Sequence, residues 1–342
     1  MVMCSNDAED PLSDILVGSL NSNRTSTSSR SGSAKASWVG HRSFPPGVAD
    51  YADDIAHYQR QRDLDCIVPY WFDAHPELTS AMRRSAVDLL SKCSRRCRLR
   101  CTTHYLATRL FDRFMSGLAN VSPDDVNTKA VAALYVASKV EEVTVYTGEC
   151  FADMCKVGTG AELYEAEVSL LSVLGFNVTI PTHEDFFERC RRLVRCSAAQ
   201  AHRARYLVEL SLLEPRSMRM PASLCVAASV AAACVDVEGF QRIASIRDAT
   251  GWDGVQILST ARWVLSLVVS DGLNCDARIK FASKSFLSVA CAAASHDWLT
   301  CAGRIVSLDP VTPSQLPGRE RDTTEKQPKK RRVSLEAVVC QA

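Results

Sequence analysis

The run "AVAALYVASKVEEV", residues 130–143, decides the fold. Alanine, leucine and valine crowd every face of the helix it would form, so the body of that helix belongs in a core. Yet it ends in Lys139, followed at once by Glu141 and Glu142. Charges at that edge have two readings. Either Lys139 complements the helix dipole and snorkels to water, or the charges are offered to something else.

A helix apolar on every side needs neighbours, and the flanking sequence supplies them. Upstream, "LTSAMRRSAVDLLSKC" places Met82, Ala86, Leu89, Leu90 and Cys93 on one stripe behind an N-cap at Thr79 or Ser80. "TTHYLATRLFDRFMS" does the same with Leu106, Leu110, Phe111, Phe114 and Met115. Pro123 stands at the first turn of the central helix, and "AELYEAEVSLLSVLGF" follows it, stopped by Gly175. After Pro181 and Thr182 the pattern restarts with "HEDFFERCRRLV", "AQAHRARYLVELSLL", "PASLCVAASVAAACV" and "WDGVQILSTARWVLSLVV". The third helix of each half is again the small-residue one. The expected fold is therefore all-α, a duplicated unit of about five helices. The boundaries run 50–78 for an N-terminal helix and linker, then 79–180 and 181–291 for the two units. A disordered Ser-rich tail, 1–45, and a flexible basic tail, 303–342, flank them.

Composition narrows the function classes. With 342 residues, 46% apolar, there is material for two cores, and a net charge of +1 gives no polyelectrolyte character. Fifteen cysteines are scattered, with no C-x-x-C spacing, and the opening "MVMCSNDAED" is acidic and polar. Reduced core thiols in a soluble intracellular protein are expected. The longest apolar run, "PASLCVAASVAAACVDV", is shorter than the ~20 residues a bilayer needs, so no membrane partner is expected. No Gly-rich phosphate loop, His-Glu-x-x-His or Gly-x-Ser-x-Gly elbow occurs, so the chain is not read as an enzyme. No cofactor or metal is expected either.

Five segments in register carry a resemblance: "MRRSAVDLL", "LFDRFMS", "VASKVEEV", "VLGFNVTIPT" and, in the second half, "MPASLCVAASVAAA". Together they resemble the tandem cyclin boxes of B-type (mitotic) cyclins over residues 50–290, and "YADDIAHYQRQRD" is similar to the helix that precedes the first box. The resemblance implies a regulatory subunit that activates a cyclin-dependent serine/threonine kinase. It implies that Lys139 and Glu167 reach across to the kinase, and that Tyr51, Ile55 and Phe176 pack on it. It also implies that Arg83 and Asp112 form a structural charge pair. For the aromatics, ordinary core burial is the competing reading.

The docking groove of the family departs from its usual pattern here. Met82, Arg83, Val87, Asp88 and Leu90 are kept. Ser85 and Ala86 stand where isoleucine and leucine are usual, Leu89 replaces a tryptophan, and Lys92 an acid. Each lost methylene removes about 0.8 kcal/mol of burial, and Lys92 opposes a basic ligand. Asn127 can still bond a docked backbone. Weak or absent docking of basic-leucine motifs is expected.

Three further features remain. In "KCSRRCRLRC", Cys93, Cys97 and Cys101 recur at i, i+4, i+8, which suits a core-facing stripe better than a zinc site lacking a fourth ligand. Lys329, Lys330, Arg331 and Arg332 read as a nuclear localisation signal for an import receptor, with Ser334 a phosphosite beside it. A nuclear protein, shuttling with the cytoplasm, is the expectation. The alternative function is a cyclin-fold scaffold of the transcription machinery contacting DNA or polymerase, given room by arginines within 95–100 and 189–195. Under the kinase reading no nucleic-acid partner is expected.

Overall fold

The computed structural model describes residues 51–234, 239–270 and 275–293. The tails 1–45 and 303–342, with Lys329, Lys330, Arg331, Arg332 and Ser334, lie outside the described residues. Within them the regular elements are helical. A leading helix α1 (Ala52–Leu64) precedes five: α2 (Ser80–Arg96), α3 (Cys101–Ser116), α4 (Val126–Glu141), α5 (Gly148–Cys155) and α6 (Gly160–Val173). Five more follow: α7 (His183–Val194), α8 (Ala198–Leu213), α9 (Ala222–Ala233), α10 (Gly239–Thr250) and α11 (Gly254–Ser270). The short α12 (Asp276–Ala282) and α13 (Val289–Ala293) close the described chain.

The third helix of each five is the axis the others wrap. In α4 every residue from Ala130 to Ser138 is buried, and in α9 all but Leu224 are. Alanine and serine at these positions let neighbouring backbones approach closely, so α4 packs on α2, α3 and α6, and α9 on α7, α8, α10 and α11. Several of the other helices start where a side chain at the N-cap can hold them. The Thr79 hydroxyl accepts from the Met82 N–H at 3.3 Å. Thr159 with Glu162, and Ser197 with Gln200, form reciprocal capping boxes at α6 and α8. Beyond α6, Gly175 takes a φ of +54° and the Phe176 N–H returns to the Leu171 carbonyl at 2.9 Å, which stops the helix.

Two elements exceed the four helices whose stripe is plain in each half. Both α5 and α10 are fourth in their set; α5 has only eight residues, and α10, "GFQRIASIRDAT", carries few large apolar side chains. The expected cysteine stripe also needs correction. The chain turns between α2 and α3, with Cys97 as the C-cap of α2 and Arg98 at φ +53°, so Cys101 heads a new helix instead of continuing a face. Cys93 and Cys97 are buried, as a core stripe requires, and Cys93 lies against α5, its sulfur 3.9 Å from the Cys155 carbonyl oxygen.

Buried charges join the two halves. The Arg83 guanidinium grips Asp112 through two bonds, Nε to Oδ1 at 2.8 Å and Nη2 to Oδ2 at 2.7 Å, tying α2 to α3. Its Nη1 donates to the Leu212 carbonyl at the end of α8 at 3.1 Å. Asp276, wholly buried, accepts from Ser91 Oγ at 2.9 Å and from the Arg95 guanidinium, while its N–H donates to Asp88 at 2.7 Å. Thus α12 returns onto α2. Asp63 of α1, also wholly buried, meets Arg109 of α3 and the start of α9.

Candidate functional site

The charges that end α4 do two different jobs. The Glu142 carboxylate accepts the Arg100 N–H at 2.8 Å and the Thr103 hydroxyl, so it caps the start of α3 and is held inside the chain. Lys139 goes elsewhere. Its Nζ lies 2.7 and 2.8 Å from the two Glu167 oxygens, joining the last turn of α4 to α6.

An aromatic wall holds the pair in place. The Lys139 ammonium stands 4.1 Å from the Tyr135 ring centroid and 6.0 Å from that of Tyr164, both rings offering their faces or flanks to a cation. Burial, then a hydrogen bond with Tyr164, pushes the Tyr135 phenol well above its ordinary pKa, so it stays neutral. Tyr164 is pinned in turn: its oxygen accepts the Gly148 N–H at 3.0 Å, and a Cβ on Gly148 would meet the ring at 2.6 Å. The glycine is what lets α5 approach α6 this closely. Lys139 keeps 37% of its side-chain surface and Glu167 12%, so the ion pair is open to a partner from one side.

Exposed apolar groups occupy the elements beside it. Val168 follows Glu167 on α6 and is 64% exposed, and Phe176 beyond that helix is 71% exposed. Phe176 also has a φ of +59°, a left-handed conformation that a bulky residue rarely takes. Along α1 and its N-cap, Tyr51, Ile55 and Tyr58 are exposed at i, i+4, i+7, on one side of the helix. Arg62 links that face to the segment after α6, donating to Tyr58 Oη at 3.2 Å, Asn177 Oδ1 at 2.9 Å and the Thr179 carbonyl at 3.0 Å. Tyr58 and Val168 were not singled out from the sequence. The spacing of Tyr58 from Tyr51 and Ile55 is the signal that finds it; Val168 has none beyond its place next to Glu167.

The degenerate docking residues are only partly brought together. Met82 and Leu89 are half-buried, Ser85 and Asn127 are exposed, and Ala86 is wholly buried, facing the core and not a groove. Lys92 reaches back to Asp88 at 2.7 Å, and that hydrogen bond holds its pKa above the ordinary value. Five arginines of the two clusters are engaged within the chain. Arg95 meets Asp276, Arg96 the Met154 carbonyl, and Arg100 Glu142, while Arg191 and Arg192 share Glu188.

Residues 54–179 match the family model for the cyclin N-terminal domain, and residues 181–295 that for the cyclin C-terminal domain. Over 199 residues the chain is 30% identical to the G2/mitotic-specific cyclin-2 of Medicago sativa, covering 57% of this chain and 60% of that protein. It is 28% identical over 257 residues to the G2/mitotic-specific cyclin cdc13 of Schizosaccharomyces pombe, covering 75% and 53%. The chain thus spans about half the length of the curated relatives it matches. Among solved structures, a viral cyclin from herpesvirus saimiri superposes with a TM-score of 0.56 at 15% identity, over 63% of this chain and 97% of that one, a likeness of fold.

Proposed function

The chain belongs to the cyclin family, as a divergent relative of its B-type, G2/mitotic members, and from that premise we propose that it binds and activates a cyclin-dependent serine/threonine protein kinase in cell-cycle control at G2/M. It is a regulatory subunit in this reading, not an enzyme. Its place of action is the nucleus, on the strength of the basic run Lys329, Lys330, Arg331 and Arg332.

The observation that carries the proposal is the half-open Lys139–Glu167 pair on elements that also expose Val168 and Phe176. The pair need not open to bind. An ammonium has three donors, of which Glu167 takes two, and a carboxylate has about four acceptor sites, of which Lys139 takes two. One donor and two acceptors therefore remain for the frayed carbonyls and N–H groups of an incoming helix end. Val168, Phe176 and the Tyr51, Ile55, Tyr58 face supply apolar area around that polar register mark. Fixing the glutamate-bearing helix of the kinase would form its lysine–glutamate pair and reorder its activation loop.

The transcription-scaffold alternative leaned on two arginine clusters, and the engagement of Arg95, Arg96, Arg100, Arg191 and Arg192 within the chain supports the kinase reading over it. The test is to capture the full chain from cells and assay associated kinase activity, then repeat with Lys139→Ala plus Glu167→Ala. Partner and activity should both fall at least about tenfold, while the melting curve barely moves, because a half-exposed pair contributes only about 0–1 kcal/mol. Unchanged capture and activity in the double variant would defeat the proposal.

The docking face carries its own expectation. With Ala86 turned inward and Lys92 presenting a cation, a basic-leucine peptide should not saturate the chain at micromolar concentration. Calorimetric titration that gave a micromolar Kd would contradict this.

A further inference from the structure

The second half contains a thiol pair that kinase binding does not use. Cys196 Sγ lies 3.7 Å from Cys234 Sγ, two sulfurs in van der Waals contact across a span of 38 residues. Both sit at helix boundaries, where a side chain can swing without breaking a run of helical hydrogen bonds. Cys196 follows the end of α7, next to Arg195 at φ +55°, and immediately precedes Ser197, the N-cap of α8. Cys234 is the C-cap of α9. Closing to a disulfide, with an S–S bond of about 2.05 Å, requires the two ends to approach by less than about 2 Å.

Exposure sets the order of reaction. Cys196 is half-buried and so open to a small oxidant, while Cys234 is buried behind it. Arg203 of α8 donates to the Ala233 carbonyl at 3.3 Å, which ties α8 to the residue before Cys234. The third thiol nearby, Cys190, is wholly buried and pushed up to about 12 by that burial and by Cys234, which keeps it a thiol.

We propose that Cys196 and Cys234 form a reversible intramolecular disulfide with peroxide-class oxidants, stapling the turn between α7 and α8 to the end of α9. The Cys196 thiolate attacks a peroxide oxygen, giving a sulfenic acid and, with hydrogen peroxide, one water. The Cys234 sulfur then attacks the Cys196 sulfur, its proton leaving with the displaced hydroxide as a second water. Two thiols lose two electrons and two protons, and one peroxide is reduced. A dithiol reverses the reaction by exchange.

The test uses the full chain, dilute enough to keep the exposed Cys150 and Cys291 from joining molecules, and treated with hydrogen peroxide at a few equivalents. Peptide mapping without reductant should find a Cys196–Cys234 link that dithiothreitol removes, and the melting temperature should rise by roughly 5 °C or more. Cys196→Ser and Cys234→Ser should fold as the reduced chain does and lose both effects. A link from Cys190 to either thiol, Cys196 stopping at a sulfenic or mixed adduct, or an oxidised chain that melts no higher would each overturn the proposal.

Discussion

Arg83→Ala should lower the unfolding free energy by roughly 3–5 kcal/mol, the range for removing one partner of a buried, hydrogen-bonded ion pair. Arg83 has no exposed surface, and its guanidinium is saturated: two bonds to Asp112, one each to the Leu212 and Leu213 carbonyls, and one to Ser217 Oγ at 3.2 Å. Alanine leaves the Asp112 carboxylate in a buried site with only Trp71 Nε1, at 3.2 Å, donating to its side chain. It also strips a cation from the C-terminal end of α8, where the helix dipole favours one. Arg83→Lys should recover only part of the loss, since an ammonium cannot reproduce the two-pronged grip and still reach α8. The double change Arg83→Met plus Asp112→Leu should be far milder than Arg83→Ala, because it leaves no charge stranded. Urea unfolding of the four proteins checks this; a loss below about 1 kcal/mol for Arg83→Ala would mean that water reaches the site.

That arginine also shows what the chain reveals before it folds. Its pairing with Asp112 came from likeness to a family; its bonds to Leu212 and Leu213, 129 and 130 residues away, had no signal. The helices were legible because burial repeats every turn, and the predicted stripe residues Leu106, Leu110, Phe111, Phe114 and Met115 are all buried. A period encodes which face is buried, and says nothing about which distant group a charge will meet. Glu142 illustrates the limit. Beside Lys139 in the sequence it looked like the same outward offer, yet it caps α3 through Arg100 and Thr103. Cys101 illustrates another: i, i+4, i+8 spacing holds only if the helix continues, and the turn at Cys97 and Arg98 ends it. Tyr135 lies in a run that reads as core and Tyr164 had no sequence signal, and only the third dimension makes them the wall behind Lys139.

Asp63 had no sequence signal at all, and Asp63→Ala should have an effect of the same size with a different consequence for binding. Its carboxylate accepts from Arg109 Nη1 at 2.7 Å and from the N–H groups of Ala222 and Ser223 at 3.0 and 2.9 Å, and from Ser223 Oγ at 2.7 Å. The N-cap of α9 is Pro221, which has no side chain able to cap, so an anion from α1 supplies what that helix start lacks. Removing it takes the counter-ion from the nearly buried Arg109, which keeps the Pro181 and residue 63 carbonyls, and strands two amide donors, a loss of roughly 3–5 kcal/mol. Three lighter ties would remain: Arg109 Nη2 donating to the backbone carbonyl of residue 63 at 3.3 Å, Arg60 to the Thr250 carbonyl at 3.1 Å across Gly251, and Arg62 to Asn177 and Thr179. The first is a single long bond and the other two are at most half-buried, so α1 should open locally well before the rest of the chain. Hydrogen exchange should therefore quicken across 52–64 in Asp63→Ala, and the face of Tyr51, Ile55 and Tyr58 should bind a kinase more weakly even where the two boxes stay folded. Arg83→Ala has no such selectivity, since its bonds lie between α2, α3 and α8 and leave α1 anchored. If exchange in α1 were unchanged in Asp63→Ala, or rose no more than in Arg83→Ala, the carboxylate would not be the anchor of the leading helix.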